Sequence, residues 1–96
     1  MTILEKIGLN EALLQLAEEA SELSQAALKY RRAKTEINPT PVSQDDALSH
    51  LLEEIADVRV CCDVLLDGAT ESWNEIGRLT RMKHKRWQER LGIEGE

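Results

Sequence analysis

The chain contains no phenylalanine, and its aromatic side chains are confined to Tyr30, Trp73 and Trp87. With 42% hydrophobic residues but only 3% aromatic, any core has to be aliphatic and alanine-rich, a composition suited to helices packed closely together. Cysteine is limited to Cys61 and Cys62. On a helix these neighbours diverge by about 100° and cannot form an ordinary disulfide with each other, so reduced, semi-buried thiols are expected. The absence of C-x-x-C spacing and of histidine partners argues against zinc. No apolar run approaches the roughly 20 residues of a membrane span, and no basic-then-apolar segment opens the chain. A soluble, cytoplasmic protein is expected. Basic residues are also in deficit, 12 against 18 acidic, for a net charge of −6. A chain this acidic is repelled by a phosphate backbone, which excludes nucleic acid as the primary partner.

What is present reads as helix almost throughout. A length of 96 residues makes residues 1–96 a single domain that buries only about two-thirds of its unfolded surface, so association with further copies would strengthen it. Thr2 can cap a short first turn through Ile7, with Gly8 ending it and Asn10 as N-cap of the next helix. That helix runs to about Lys34 with Leu13, Leu16, Ala20, Leu23, Ala27 and Tyr30 in one stripe. Pro39 and Pro41 break the chain into a loop. Ser43 with Asp46 resembles a capping box for a second long helix to about Leu66, with Leu48, Leu51, Leu52, Ile55, Val58 and Cys62 on its apolar side. Gly68 stops it, and a third long helix after Thr70 carries Trp73, Ile76, Leu79, Thr80, Trp87 and Leu91 inward. The tail from Gly92 to Glu96 is expected to fray. The expected fold is all-α, an antiparallel bundle of three to four helices.

Chemistry concentrates in two acidic runs. Glu18-Glu19-Ala20-Ser21-Glu22 places Glu19 and Glu22 one turn apart, and Glu54-Ile55-Ala56-Asp57 does the same for Glu54 and Asp57. Acid pairs at this spacing arise often in an acidic helical chain. Two of them, each on the flank of a strongly apolar helix, are harder to dismiss. Four carboxylates at close range raise one another's pKa unless a cation sits among them, and a hard divalent ion such as Mg²⁺ relieves this. A di-iron centre would need a Glu-x-x-His motif on each of two helices, and the chain has none. Glu18 and Glu53 point further out as solvated residues, with Glu18 also placed for a general-base role. His50, four residues before Glu54, can either approach such a metal or lie at the surface or against a loop.

Cations are found in two places. Arg31, Arg32 and Lys34 gather at the end of the first long helix, where they complement its dipole. Lys83, Arg86 and Arg90 form a stripe on the last helix that suits either ion pairs to neighbouring acids or binding of phosphate. Arg59 falls among apolar residues and needs either a partner or an incomplete apolar face.

The paired motifs, their separation and, more weakly, the segment from Lys83 to Leu91 resemble the MazG-like members of the all-α nucleoside triphosphate pyrophosphohydrolase superfamily. The resemblance covers nearly the whole domain. It implies a helical bundle assembled as a homo-dimer or homo-tetramer that cleaves (d)NTPs between the α and β phosphates, giving the monophosphate and pyrophosphate. It implies Mg²⁺ as cofactor, with Mn²⁺ as a substitute, held by Glu19, Glu22, Glu54 and Asp57. Glu18 would then act on the attacking water, and Lys83, Arg86 and Arg90 on the phosphates. A non-catalytic helical module that senses a nucleotide or joins a protein partner is the alternative.

Overall fold

The computed structural model describes residues 1–93 of the chain. Among them there are four helices and no strand: α1 (Ile3–Ile7), α2 (Leu9–Lys34), α3 (Gln44–Leu65) and α4 (Thr70–Arg90). The chain is all-α, as its composition and periodicity require.

Local chemistry sets the helix ends. The Thr2 hydroxyl accepts from the Glu5 N–H at 3.0 Å, and the Ser43 hydroxyl accepts from the Asp46 N–H at 3.1 Å. In both cases only half of a capping box forms, with no return bond from the Glu5 or Asp46 side chain. Asn10 caps nothing. Gly8, at φ 86°, joins α1 directly to α2, and its carbonyl accepts from Ala12 at 3.1 Å, so Asn10 already lies inside the helix. At the end of α4, the N–H of Gly92 bonds to Glu89 O and that of Ile93 to Gln88 O, with Gly92 at φ 71°. This is a Schellman closure, so Gly92 and Ile93 are capped rather than frayed; positions 94–96 of that tail lie outside the described residues.

The packing follows a narrow seam. On α2 a line of shielded residues runs through Ala12, Leu16, Glu19, Leu23, Ala26, Tyr30 and Ala33, alternately four and three apart, with Lys29 half-buried beside it. On α3 it runs through Ala47, Leu51, Glu54, Val58, Cys61 and Leu65 with the same alternation, flanked by the half-buried Cys62 and Val64. Alternating steps of four and three keep one line of a helix against a partner, as in a coiled coil. The seam is antiparallel. Ala12 shares a cavity with Cys61, Glu19 feels the charge of Asp57, Glu22 meets Glu54, and Ala26 shares a cleft with His50, so positions rise on α2 as they fall on α3. Small residues dominate the buried points, Ala12, Ala26, Ala47 and Cys61, and let the two backbones approach closely. α1 packs against both helices near the Cys61 end.

Of the residues expected inward on these helices, Leu16, Leu23, Tyr30, Leu51, Val58 and Cys62 do turn away from solvent, and others face elsewhere. Leu13, Leu48, Leu52 and Ile55, expected on the inward sides, are all exposed, Leu52 by 57%. α4 departs further from expectation. Its supposed inward residues Trp73, Ile76, Trp87 and Leu91 are exposed, and α4 packs against none of the other helices of the chain. One bond holds its base, from Trp73 Nε1 to the Leu66 carbonyl at 2.9 Å. The radius of gyration is accordingly 17.0 Å, against about 13 Å for a compact chain of this length. The described chain is a helical hairpin, crossed by α1, from which α4 leads away.

Candidate metal centre

Two seam positions that geometry would reserve for apolar residues are occupied by acids. Glu19 on α2 and Glu54 on α3 face each other, Glu19 half-buried and Glu54 only 7% exposed. A carboxylate in such a place is costly without partners, and each of these has a partner on one oxygen only. Gln15 Nε2 donates to Glu19 Oε1 at 3.0 Å, and His50 Nε2 lies 3.1 Å from Glu54 Oε1. The remaining oxygens, Glu19 Oε2 and Glu54 Oε2, are buried without any hydrogen-bond partner. Glu22, one turn beyond Glu19 and exposed, completes a group in which one oxygen from each of Glu19, Glu22 and Glu54 lies within 4.8 Å of the others.

This donor set fits a hard divalent cation. It is all-oxygen and it converges, and its two orphaned oxygens lack the positive charge that would make their burial tolerable. Gln15 and His50 hold the outer oxygens and so orient the carboxylates, the part that supporting groups play around metal ligands. Both are one turn from the acid they hold, and that i, i+4 relation is the signal by which Gln15 could have been found in the sequence. Three protein carboxylates leave coordination positions open for water or a substrate oxygen.

The other expected residues are placed as follows. Asp57 is exposed and stands outside the converging group, although its charge acts on Glu19. Glu18 and Glu53 are exposed on the outer faces. Arg59 is exposed and forms no ion pair among the described residues, so the apolar side is incomplete there. Lys83, Arg86 and Arg90 lie on α4, and because α4 packs against neither α2 nor α3, the structure does not bring them to the carboxylates within one chain. The cations that do reach the cleft are Lys29 and Arg32 of α2. Cys61 lies on the seam one turn from Asp57. Burial, then the charges of Glu19, Cys62 and Asp57, pushes its thiol above the usual range.

Glu19 has its pKa raised above the ordinary 4.5, first by burial, then by the charges of Glu22 and Asp57, with the Gln15 bond opposing. A carboxyl whose pKa is higher folded than unfolded stabilises the fold most when protonated, and that stability is lost as pH rises through the raised value. In a chelator, the melting temperature should therefore increase as pH falls from neutrality toward 4.5. Glu75, held below 4.5 by Arg78, has the opposite sign, but its window lies below 4.5 and does not overlap. Saturating Mg²⁺ should flatten or invert the slope, because ligation needs the ionised form. Thermal unfolding of the wild type and Glu19→Gln across this range checks the assignment; an equal slope in both would refute it.

Comparison of the chain with protein-family models, with curated proteins and with solved structures found no match.

Proposed function

We propose that the chain is a Mg²⁺-dependent nucleoside triphosphate pyrophosphohydrolase that works as a homo-oligomer. The observation that supports this most is the convergence of Glu19, Glu22 and Glu54 with a buried, unpartnered oxygen on each of the two seam acids. Those residues hold the ion, with Asp57 close by. A divalent ion such as Mg²⁺ held by these carboxylates would neutralise polyphosphate charge and lower the pKa of the attacking water. Glu18, exposed beside Glu19, accepts the proton of that water. The water oxygen bonds to the α-phosphorus, the bond from that phosphorus to the α–β bridging oxygen breaks, and pyrophosphate leaves with the electron pair. Cleavage at the α–β bond follows from the resemblance to the MazG-like enzymes rather than from the carboxylates, which would serve other phosphate chemistry equally well.

Surface area supports the oligomer. The chain exposes 7749 Å², whereas a compact monomer of its mass exposes about 5,600 Å². The excess, about 2,000 Å², is more than twice what one partner commits to a standard protein interface. A second copy of α4 laid along the outer apolar face of the hairpin would cover both surfaces, and the resemblance assigns Lys83, Arg86 and Arg90 of that copy to the phosphates.

The test is pyrophosphate release from a panel of canonical and modified NTPs and dNTPs with Mg²⁺ or Mn²⁺. At least one substrate should be turned over, and turnover should cease in a chelator; a panel without turnover would sink the enzymatic reading. The exposed apolar surface also suits a non-catalytic interaction module. Calorimetry separates the two, because a module would bind its ligand without turnover or with indifference to metal.

A further inference from the structure

We propose that Lys29 and Arg32 form an anion subsite in the same chain as the carboxylates, holding the pyrophosphate end of the substrate. For the identity of the anion this rests on the nucleotide reading above. An open cleft of about 400 Å³ runs from Glu22 and Glu54, past His50, to Lys29 and Arg32. Its floor at Ala26 is 1% exposed, and the small side chain at that seam position leaves the cleft its depth. One end of the cleft carries the buried, unpartnered Glu54 Oε2, and the other carries two cations.

Helix geometry aims those cations at the acids. Lys29 is seven residues beyond Glu22, about 20° around the axis and roughly 10 Å along it. Arg32 lies about 80° around and roughly 15 Å along. Helical side chains lean toward the N-terminus, so both reach back over the cleft toward the cluster. Neither makes an ion pair among the described residues. Ordinary dipole capping does not account for Lys29, since that effect fades within the last turn and Lys29 precedes the end of α2 at Lys34 by more than a turn. Lys34, by contrast, sits over the Tyr30 ring at 5.3 Å and points to a local role.

The charges require such a subsite. A polyphosphate carries more negative charge than one divalent ion cancels, and the cleft already holds the carboxylates of Glu22 and Glu54. The guanidinium of Arg32 can grip two phosphate oxygens in its planar fork, while the ammonium of Lys29 acts as a point charge nearer the metal. The substrate is thereby oriented, with its α-phosphate at the carboxylates and its terminal phosphates toward the Pro39–Pro41 loop end of the hairpin.

The experiment is titration calorimetry of the full chain with inorganic pyrophosphate in Mg²⁺, beside Mn²⁺ binding measured without pyrophosphate. For Lys29→Gln/Arg32→Gln, pyrophosphate affinity should fall about 100-fold, roughly tenfold for each charge-assisted contact, with Mn²⁺ affinity and helical circular dichroism unchanged. Arg32→Lys alone should retain the charge and lose only the part owed to bidentate contact. The subsite is overturned if the wild type does not bind pyrophosphate, if the double variant binds it within about twofold of wild type, or if Mn²⁺ affinity falls in parallel. A wild type that binds pyrophosphate through these residues yet turns over no nucleotide would refute the catalytic reading and leave the subsite standing. Nucleotide turnover with KM and pyrophosphate affinity indifferent to the double substitution would do the reverse.

Discussion

Replacing Glu19 and Glu54 together with glutamine is expected to abolish metal-dependent turnover while leaving the metal-free protein at least as stable as the wild type. Few substitutions of buried residues should combine these results. The two acids are the seam members of the converging group, and each keeps one buried oxygen without a partner. Supporting groups around a metal commonly cost 10- to 100-fold when removed, so loss of two direct ligands should reduce kcat/KM by more than about 100-fold. Glutamine preserves shape and can still bond to Gln15 and His50, but it removes the charge.

The stability half of the prediction turns on the cost of burial. With no cation present, Glu19 is held in a place that disfavours its ionised form, and Glu54 is buried with one oxygen unsatisfied. Neutral amides relieve both. The melting temperature in a chelator should stay level or rise, and the increase that Mg²⁺ gives the wild type, which grows with ligand concentration relative to Kd, should vanish. Thermal unfolding of both proteins with and without Mg²⁺ decides the matter. If the acids instead stabilise the fold by pairing with Arg59, Arg86 or Arg90, the variant should melt lower in a chelator, and the metal reading fails.

Which parts of this could be read from the sequence follows from particular residues. The convergence of Glu19, Glu22 and Glu54 was legible because i, i+3 spacing fixes side-chain direction on a helix, but the same spacing did not bring Asp57 into the group. Helix ends were legible where side chains or glycines make them, at Thr2, Gly8 and Ser43, and failed at Gly68, which lies beyond the Leu66 cap of α3, and at Asn10, where Gly8 lets the chain continue without a loop. The packing face was harder. α2 and α3 are apolar over more than one side, and the larger aliphatics Leu13, Leu48, Leu52 and Ile55 drew the inward side toward themselves. The hairpin instead closes along a line that Leu16, Leu23, Leu51 and Val58 share with the small residues Ala12, Ala26, Ala47 and Cys61, and in which Glu19 and Glu54 take core positions. Periodicity ranks a face by hydrophobicity and cannot say whether its partner lies in the same chain. That is also why the side of α4 bearing Trp73, Ile76 and Trp87 was assigned inward, although one chain offers it nothing to pack on.

The second large effect is expected at this outer surface. If the chain associates through these surfaces as proposed, Trp87→Glu on α4 and Leu52→Glu on the hairpin, at side chains 60% and 57% exposed, should each convert the proposed oligomer to monomer and lower stability severely. Single substitutions at exposed positions ordinarily change stability by less than about 0.5 kcal/mol. A charge set into an apolar interface disrupts the whole assembly, and here the buried points of one chain are no larger than alanine and cysteine apart from Glu54. Light scattering should show the change of mass, and the wild-type melting temperature should rise with protein concentration, as folding coupled to association requires. Two variants as stable and as associated as wild type would remove the basis for an oligomer. The same assembly allows the route of the α4 cations to be traced. Glu19→Gln/Glu54→Gln chains and Lys83→Gln/Arg86→Gln/Arg90→Gln chains should each be inactive alone. If α4 serves the site of its neighbour, mixed dimers contain one site with both sets intact, and co-refolding equal amounts should restore about a quarter of wild-type activity, since half the dimers are mixed and each has one good site of two. If α4 folds back on its own chain, every site in the mixture lacks one set and nothing is restored.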